Sequence, residues 1–236
     1  MEDLAPDRDD DPRIDAIVFD FDGLVLETEE AIYIALKELW DEHGHELTVE
    51  MWAQSIGTNS ADVFDAVAEL NRLAGTDYTE ESLIPRLRPR IRGLIEAGDL
   101  LPGVAEWLDD AEARGLGIGI ASSSDREWVL GHLDRLGHTP RFPVVCCFDD
   151  VQAHKPRPDS YLEACRRLGV EPSFALALED SVNGVRAAKA AGMWCVAVPT
   201  SMTRHLDFEA AGADLVVASL ADVSFSDVVE RLRPRG

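Results

Sequence analysis

Short apolar runs alternate with amphipathic segments along most of the chain. The first run is Ile14–Phe19, and five others follow it, at Leu116–Ala121, Pro143–Cys147, Phe174–Leu178, Trp194–Val198 and Asp214–Val217. Runs of this length that are apolar almost throughout predict strands buried on both faces, as in a parallel sheet.

The segments between the later runs have helical patterns, and each pattern ends near a glycine, as helices commonly do. These segments are Val104–Arg114, Asp125–Leu136, Pro158–Leu168 and Ser181–Ala191. Strands and helices in alternation predict an α/β fold with a doubly wound, Rossmann-like and mostly parallel sheet.

The stretch between the first two strands has a different pattern. It contains no strand signal, and its apolar spacing predicts helices at Glu29–Trp40, Ala61–Leu73 and Glu80–Glu96. A helical block of about seventy residues is too long for an ordinary crossover between strands. We therefore expect an inserted all-helical second domain at 27–98 and an α/β core made of 1–26 and 99–236.

The net charge of the chain argues against some classes of binding partner. Its 236 residues include 45 Asp and Glu against 22 Lys and Arg, which gives a formal net charge of −23. Nucleic acids and anionic membranes attract clustered basic residues, so we expect neither as a partner. The acidic residues 1–12 read as a flexible tail and lack the features of a signal peptide. We expect a cytoplasmic protein and a monomer.

Polar residues follow four of the predicted strands, at the edge where open parallel sheets bind ligands. In chain order they are Asp20 and Asp22, Ser122 to Ser124, Lys155, and Glu179 with Asp180. Four carboxylates in one crevice repel one another unless a cation lies between them, and carboxylate oxygens suit Mg²⁺. The pattern predicts a magnesium site beside a lysine, which together can neutralise a phosphoryl group.

The two aspartates after the first strand can divide the chemistry of phosphoryl transfer. Asp20 is placed as a nucleophile, since a metal and Lys155 would keep it ionised at neutral pH. Asp22 lies two residues further on, so that in extended backbone both side chains point the same way. It can protonate the leaving oxygen and later deprotonate the attacking water.

These residues carry a family resemblance. The chain closely resembles the haloacid dehalogenase-like hydrolase superfamily in four ordered motifs, which read Asp20-Phe21-Asp22-Gly23, Ala121-Ser122-Ser123-Ser124, Lys155-Pro156, and Leu178-Glu179-Asp180-Ser181 with Asn183-Gly184. A helical insertion just after the first motif is similar to the branch that contains β-phosphoglucomutase, phosphoglycolate phosphatase and sugar-phosphate phosphatases.

The resemblance implies a role for each motif. Asp20 would form an aspartyl-phosphate and bind Mg²⁺, and Asp22 would be acid and base while its backbone carbonyl binds the metal. Ser122 and the amide of Ser123 would hold the phosphate, and Lys155 would stabilise the transferred group. Asp180 would ligate the metal, with Glu179 beside it as a second ligand or as a neighbour of the ligands.

The resemblance also implies that the inserted domain at 27–98 is a cap, which closes over the catalytic core formed by 1–26 and 99–236. The Gly57-Thr58-Asn59 loop of the cap would then face the site, with Thr58 and Asn59 contacting the substrate.

Other residues invite functional interpretations that we set aside. Gly115, Gly117 and Gly119 precede and enter a strand, whereas a dinucleotide-binding glycine motif must follow one. His154 beside Lys155 has no metal-site spacing, and Trp128 fits a helical pattern as a packing residue.

The sequence thus predicts a Mg²⁺-dependent phosphatase that hydrolyses a small phosphate monoester, such as a sugar phosphate, under a mobile cap. The first alternative is β-phosphoglucomutase-like phosphoryl transfer, which in the family is associated with a His on the first cap helix and a cap-loop Arg. The corresponding stretches, Glu27 to Ile32 and Gly57 to Ser60, contain neither.

Two further alternatives are weaker. Dehalogenation is disfavoured because the dehalogenase branch typically lacks the second aspartate, which is present here as Asp22. A sensor that binds a phosphorylated metabolite without turnover has no support in the sequence, because each catalytic position holds a competent residue.

Overall fold

The computed structural model describes residues 12–52 and 64–232, and its centre is a parallel six-stranded sheet. The strand order is β3-β2-β1-β4-β5-β6. The strands are β1 (Ala16–Phe19), β2 (Gly117–Ala121), β3 (Val144–Cys146), β4 (Ala175–Glu179), β5 (Trp194–Ala197) and β6 (Leu215–Val216). Each strand coincides with one of the predicted apolar runs, so the expected fold class is confirmed.

Nine helices surround or extend from this sheet in the described ranges. Four lie between β1 and β2: α1 (Glu29–Glu42), α2 (Val49–Trp52), α3 (Ala66–Ala74) and α4 (Glu80–Glu96). The others are α5 (Val104–Arg114), α6 (Arg126–Leu136), α7 (Asp159–Leu168), α8 (Val182–Ala190) and α9 (Phe225–Arg231).

Strand β1 lies in the middle of the sheet, between β2 and β4. Its side chains alternate between two separate cores, because successive residues of a strand face opposite sides. Ile17 and Phe19 pack on the side of α5, α6 and α9. Ala16 and Val18 pack on the side of α7 and α8. This central position explains why the first run is apolar throughout.

The helices between β1 and β2 have a hydrophobic cluster of their own. It includes Leu39 and Trp40 from α1, Leu70 from α3 and Leu83 from α4. Met202, from the loop after β5, also belongs to this cluster and so links it to the sheet. On the outside, Arg86 and Arg90 of α4 form ion pairs with two glutamates of α1, Glu42 and Glu38.

Three helix details differ from the sequence expectations. The short α2 and the C-terminal α9 were not expected. Helix α3 begins at Ala66, after Asp65 caps it by accepting hydrogen bonds from two backbone amides. The residues before 64 in the predicted Ala61–Leu73 helix lie outside the described ranges. In the described parts of the chain, no helix is both long and apolar enough to cross a membrane.

Candidate active site

The candidate site lies at the carboxyl edge of the sheet, where four chain segments meet. Asp20 follows β1, Ser122 follows β2 and Asp180 follows β4, while Lys155 comes from the loop between β3 and α7. Because all strands are parallel, these ends share one edge of the sheet. The side chains of all four residues are buried.

Lys155 is the centre of the charge network. Its Nζ lies 2.5 Å from Oδ1 of Asp20 and 2.5 Å from Oε1 of Glu179, and the residue is only 3% exposed. Burial by itself would lower the pKa of this ammonium, but the two carboxylates raise it above its usual range. Lys155 is therefore a permanent cation that holds two carboxylates in fixed positions.

Glu179 is fully buried and accepts hydrogen bonds at both oxygens. Oε1 accepts from Lys155 and, at 2.7 Å, from the hydroxyl of Tyr161. Oε2 accepts from the backbone amide and the hydroxyl of Ser181, at 3.2 and 3.1 Å. A Cβ on Gly184 would lie 1.8 Å from Oε1, so the glycine of the fourth motif leaves the space that this carboxylate occupies.

Asp20, Glu179 and Asp180 form the carboxylate cluster. One oxygen of each lies within 4.8 Å of the others. Oδ2 of Asp180 is buried and has no hydrogen-bond partner in the parts of the chain that the structure describes. Burial, together with the neighbouring Glu179, raises the pKa of Asp20 to about 7 despite Lys155.

The electrostatics of this cluster suit a divalent cation. Burial and then the nearby carboxylates raise the pKa of Asp180 well above its ordinary range. Three buried carboxylates and one ammonium leave excess negative charge, and one oxygen of Asp180 has no hydrogen-bond partner among the described residues. Oxygen ligands of this kind are those that Mg²⁺ prefers, so the residues present fit a magnesium site.

Asp22 lies beside the cluster and is held by a separate set of donors. Thr28 Oγ1 and Trp128 Nε1 donate to its Oδ1, at 2.6 and 2.9 Å. Ser124 Oγ donates to its Oδ2 at 2.6 Å, and Ser122 Oγ does so at 3.4 Å. Among the described residues, the carboxylate of Asp22 thus bonds to Thr28, Trp128 and the serine loop and makes no hydrogen bond to Asp20, Glu179 or Asp180.

The serine loop leads into α6. Ser122 is buried and its hydroxyl accepts a hydrogen bond from the amide of Ser124 at 2.9 Å, while Ser123 is half-buried. The side chain that caps α6 is Asp125, which accepts from the amide of Trp128. Asp125, and not one of the three serines, therefore caps α6.

Three residues near the site were not singled out by the sequence analysis, Thr28, Glu29 and Tyr161, and a fourth, Trp128, was interpreted there only as a packing residue, although its indole bonds to Asp22. Glu29 is half-buried, and burial followed by the charge of Asp22 raises its pKa to about 8. The acidic run from Glu27 to Glu30, so soon after the first motif, was a signal for Glu29. Nothing comparable marks the other three, whose hydrogen bonds arise from tertiary packing.

Two further expectations concern His154 and the loop residues Thr58 and Asn59. The ring of His154 stacks on Phe148, with centroids 3.9 Å apart and an angle of 10° between the rings, as a packing residue does. Thr58 and Asn59 lie in the range 53–63, outside the described residues.

Comparison with known proteins places this geometry in a family. The family model described as haloacid dehalogenase-like hydrolase matches residues 17–198, which include all four motifs. The chain belongs to the haloacid dehalogenase-like hydrolase family. The expected family and the expectation of a hydrolase are both confirmed.

Two proteins resemble this hydrolase along nearly the whole sequence. The putative phosphatase YhcW of Bacillus subtilis is 42% identical over 219 residues, which cover 93% of this chain and 98% of YhcW. A solved structure of CbbY from Rhodobacter sphaeroides, in complex with xylulose-(1,5)bisphosphate, is 30% identical with a TM-score of 0.72, and the match covers 91% of this chain and 98% of CbbY.

A third relative is similar to the hydrolase in fold. The crystal structure of β-phosphoglucomutase from Clostridium difficile has a TM-score of 0.73 at 23% identity, and the match covers 93% of this chain and 97% of the mutase. The order and arrangement of the helices and strands are therefore those of a known fold.

Proposed function

We propose that this hydrolase is a Mg²⁺-dependent phosphatase that cleaves a small phosphate monoester through an aspartyl-phosphate on Asp20. The observation that carries the proposal is the position of Asp20 at the end of β1. Its Oδ1 lies 2.5 Å from Lys155 Nζ, and Asp180 beside it has a buried oxygen without a partner in the described parts of the chain. A nucleophile, a fixed cation and a metal-binding carboxylate thus share one pocket.

In the first step, an oxygen of Asp20 forms a bond to phosphorus while the ester P–O bond breaks. Asp22 donates its proton to the departing oxygen. In the second step, water attacks the phosphorus, Asp22 takes the proton of that water, and the bond between Asp20 and phosphorus breaks to release inorganic phosphate. Ser122 and the amide of Ser123 hold the phosphoryl oxygens throughout.

Asp20, Asp180 and the backbone carbonyl of Asp22 are the groups that would hold Mg²⁺. When bound, the metal supplies positive charge that offsets the negative charge of the phosphoryl group. Glu179 already accepts four hydrogen bonds, so we assign it chiefly to fixing Lys155 and to adding negative charge to the metal site.

The helices α1 to α4 are proposed as the cap, as part of the segment 27–98. Their separate hydrophobic cluster supports this division. Thr58 and Asn59 stay proposed substrate contacts. A sugar phosphate is the proposed substrate class, because CbbY, at 30% identity, was solved with xylulose-(1,5)bisphosphate.

The test is phosphate release from a panel of sugar phosphates, phosphoglycolate, nucleotides and p-nitrophenyl phosphate, each with Mg²⁺ and with EDTA. We expect release that requires Mg²⁺ and that Asp20→Asn abolishes while the protein stays folded. Release that survives Asp20→Asn would remove Asp20 from the nucleophile role. Metal-independent release would contradict the magnesium proposal.

Analysis of the products distinguishes the phosphatase from a mutase. A mutase converts a sugar phosphate into its isomer with little free phosphate, whereas a phosphatase releases phosphate in amounts equal to the free sugar. If the wild-type protein binds phosphorylated metabolites but turns over none of the panel, the sensor alternative replaces both.

A further inference from the structure

The indole of Trp128 reaches from α6 to the carboxylate of Asp22. Its Nε1 donates to Oδ1 of Asp22 at 2.9 Å, although the two residues are 106 positions apart in the chain. The hydroxyls of Thr28 and Ser124 also donate to this carboxylate, and the hydroxyl of Ser122 does so at the longer distance of 3.4 Å.

Thr28, Ser124 and Trp128 differ in which protonation state of a carboxyl group their donors can pair with. A hydroxyl can donate or accept, so Thr28 and Ser124 can pair with either form of a carboxyl group. An indole N–H can only donate, so the oxygen that it contacts must present a lone pair. Both oxygens of a protonated carboxyl group can accept, but the carbonyl oxygen accepts more strongly, so the Trp128 bond to Oδ1 of Asp22 favours Oδ2 as the oxygen that takes part in proton transfer.

Oδ2 is the oxygen that faces the serine loop. It accepts from Ser124 at 2.6 Å and from Ser122 at 3.4 Å. Ser122 is a proposed phosphate ligand, so an ester oxygen leaving the phosphorus would depart near this side of Asp22. The indole thus occupies Oδ1 and leaves Oδ2, the oxygen on the side of the serine loop, for exchange of a proton with the leaving oxygen.

The indole itself is held in place by its neighbours. The amide of Trp128 donates to Asp125 at 2.7 Å, which fixes the first turn of α6. One turn further on, the ring of His132 packs edge-on against the indole, with centroids 4.5 Å apart. His132 in turn lies 6.5 Å from the ring of Phe21, the residue between the two aspartates.

We propose that Trp128 is a positioning residue that orients the carboxyl group of Asp22 for proton transfer to the leaving oxygen. This role rests on the proposed phosphatase function. Trp128 acts through Asp22 and does not itself exchange a proton with the substrate.

The test compares two substrates that differ in how much they need an acid. An alkyl ester such as a sugar phosphate must have its leaving oxygen protonated, whereas p-nitrophenolate leaves without a proton. The ratio kcat/KM reports the reaction up to the first irreversible step, here the transfer to Asp20. A defect in the acid therefore lowers kcat/KM for the alkyl ester more than for the nitrophenyl ester.

Trp128→Phe keeps an aromatic ring and removes the donor. We expect kcat/KM to fall about tenfold for the alkyl ester, a part of the 10²- to 10⁴-fold that a general acid contributes, and by less than about twofold for p-nitrophenyl phosphate. Trp128 is half-buried and lines an open cavity of about 370 Å³, so the smaller ring of phenylalanine should disturb the fold little.

Two further variants are the references for the effect of Trp128→Phe on kcat/KM. Asp22→Asn should show the same preference for the nitrophenyl ester in a stronger form. Trp107→Phe removes another indole donor, one that bonds to the carbonyls of Leu220 and Val223 away from the site. Trp107→Phe should change kcat/KM by the same factor for both substrates.

A second measurement does not depend on turnover or on the folding of Trp128→Phe. The chain has five tryptophans, and only the indole of Trp128 is seen to donate to Asp22 in the described ranges. In NMR spectra, Asp22→Asn should therefore shift one indole N–H resonance strongly.

The outcomes separate the two proposals. Equal losses on both esters in Trp128→Phe, or unshifted indole resonances in Asp22→Asn, would overturn the role of Trp128 and leave the phosphatase intact. A wild-type enzyme that releases phosphate from neither ester with Mg²⁺ would overturn the phosphatase proposal, and the role of Trp128 with it.

Discussion

Gly23 and Asp180 lie closer together than any side chain at position 23 would allow. A Cβ on Gly23 would be 2.2 Å from Oδ2 of Asp180, far inside van der Waals contact. Gly23 also has a φ of +81°, a conformation that other residues adopt only at a cost. The glycine of the first motif thus lets the end of β1 approach the carboxylate that follows β4.

Gly23→Ala should therefore displace Asp180 as well as strain the backbone. We expect a loss of about 1–2 kcal/mol from the strained φ, and weaker Mg²⁺ binding because Oδ2 of Asp180 must move. Urea unfolding measures the first effect. Titration of phosphate release against Mg²⁺ concentration measures the second.

Gly75→Ala is the matched control. Gly75 has a φ of +68°, and a Cβ there would have no atom within 4 Å. This variant should lose similar stability with no change in its magnesium requirement. An unchanged magnesium requirement in Gly23→Ala as well would contradict the steric argument.

The sequence predicted the strands and motifs well for a physical reason. A strand buried on both faces is apolar along nearly its whole length, as in β1 and in β4 up to Leu178. The residues at the ends of such strands share one edge, so Asp20, Lys155 and Asp180 could be grouped without coordinates.

The partners of these residues could not be predicted in the same way. Trp128 and Tyr161 fit the apolar faces of α6 and α7, and a helical pattern does not reveal that an N–H or O–H at the end of such a side chain meets Asp22 or Glu179. Their hydrogen bonds depend on how α6 and α7 pack on the sheet.

Tyr161 offers a test of the buried glutamate. Tyr161→Phe removes one of the four hydrogen bonds to Glu179 and keeps the ring that packs under Lys155, whose Nζ lies 5.0 Å from its centroid. We expect a loss of about 1–2 kcal/mol in the free energy of unfolding. Phosphate release should slow less than tenfold, because Lys155 still pairs with Asp20 and Glu179.

Tyr33→Phe provides the comparison for Tyr161. The hydroxyl of Tyr33 donates to the carbonyl of Leu47 at 3.0 Å, within the helical segment. Its loss should lower stability without slowing turnover. If Tyr161→Phe and Tyr33→Phe have the same effect on turnover, the hydroxyl of Tyr161 has no part in organising the site.

Met202 connects the helical segment with the site. It is 4% exposed in the cluster of α1 to α4, and the hydroxyl of its neighbour Thr203 donates to the carbonyl of Asp180 at 2.8 Å. Met202→Ala should cost about 2–4 kcal/mol, as buried truncations do. It should also lower kcat, because the loop that contacts Asp180 loses its anchor.

Met193→Ala tests whether that loss of kcat is specific. Met193 is 1% exposed, but it packs in the core beside α7 and α8. Measured at a temperature where both variants stay folded, it should match Met202→Ala in stability and retain the wild-type kcat. Equal kcat values in the two variants would show that the loop position does not depend on Met202.

The ion pairs of Glu163 on α7 make the stability of the folded protein depend on pH, independently of the candidate site. Hydrogen bonds from Arg166 and Arg167, all at 2.7 Å, lower its pKa to about 2 from an unfolded value of about 4.5. A carboxylate whose pKa is lower in the folded protein adds stability above the unfolded pKa, and this stability is lost as the pH falls through the folded pKa. The contribution of Glu163 is therefore complete near pH 7 and decreases from about pH 4.5 towards pH 2.

Glu163→Gln should remove this contribution. At pH 7 we expect the variant to be less stable by about 1 kcal/mol, a modest value because the ion pairs are at the surface. The difference from wild type should shrink as the pH is lowered below 4.5, as measured by urea unfolding at several pH values. Glu230 is exposed and has no ion pair with any described residue, so Glu230→Gln should show no such trend. A difference for Glu163→Gln that grows as the pH falls would reverse the assigned sign and refute the ion-pair explanation.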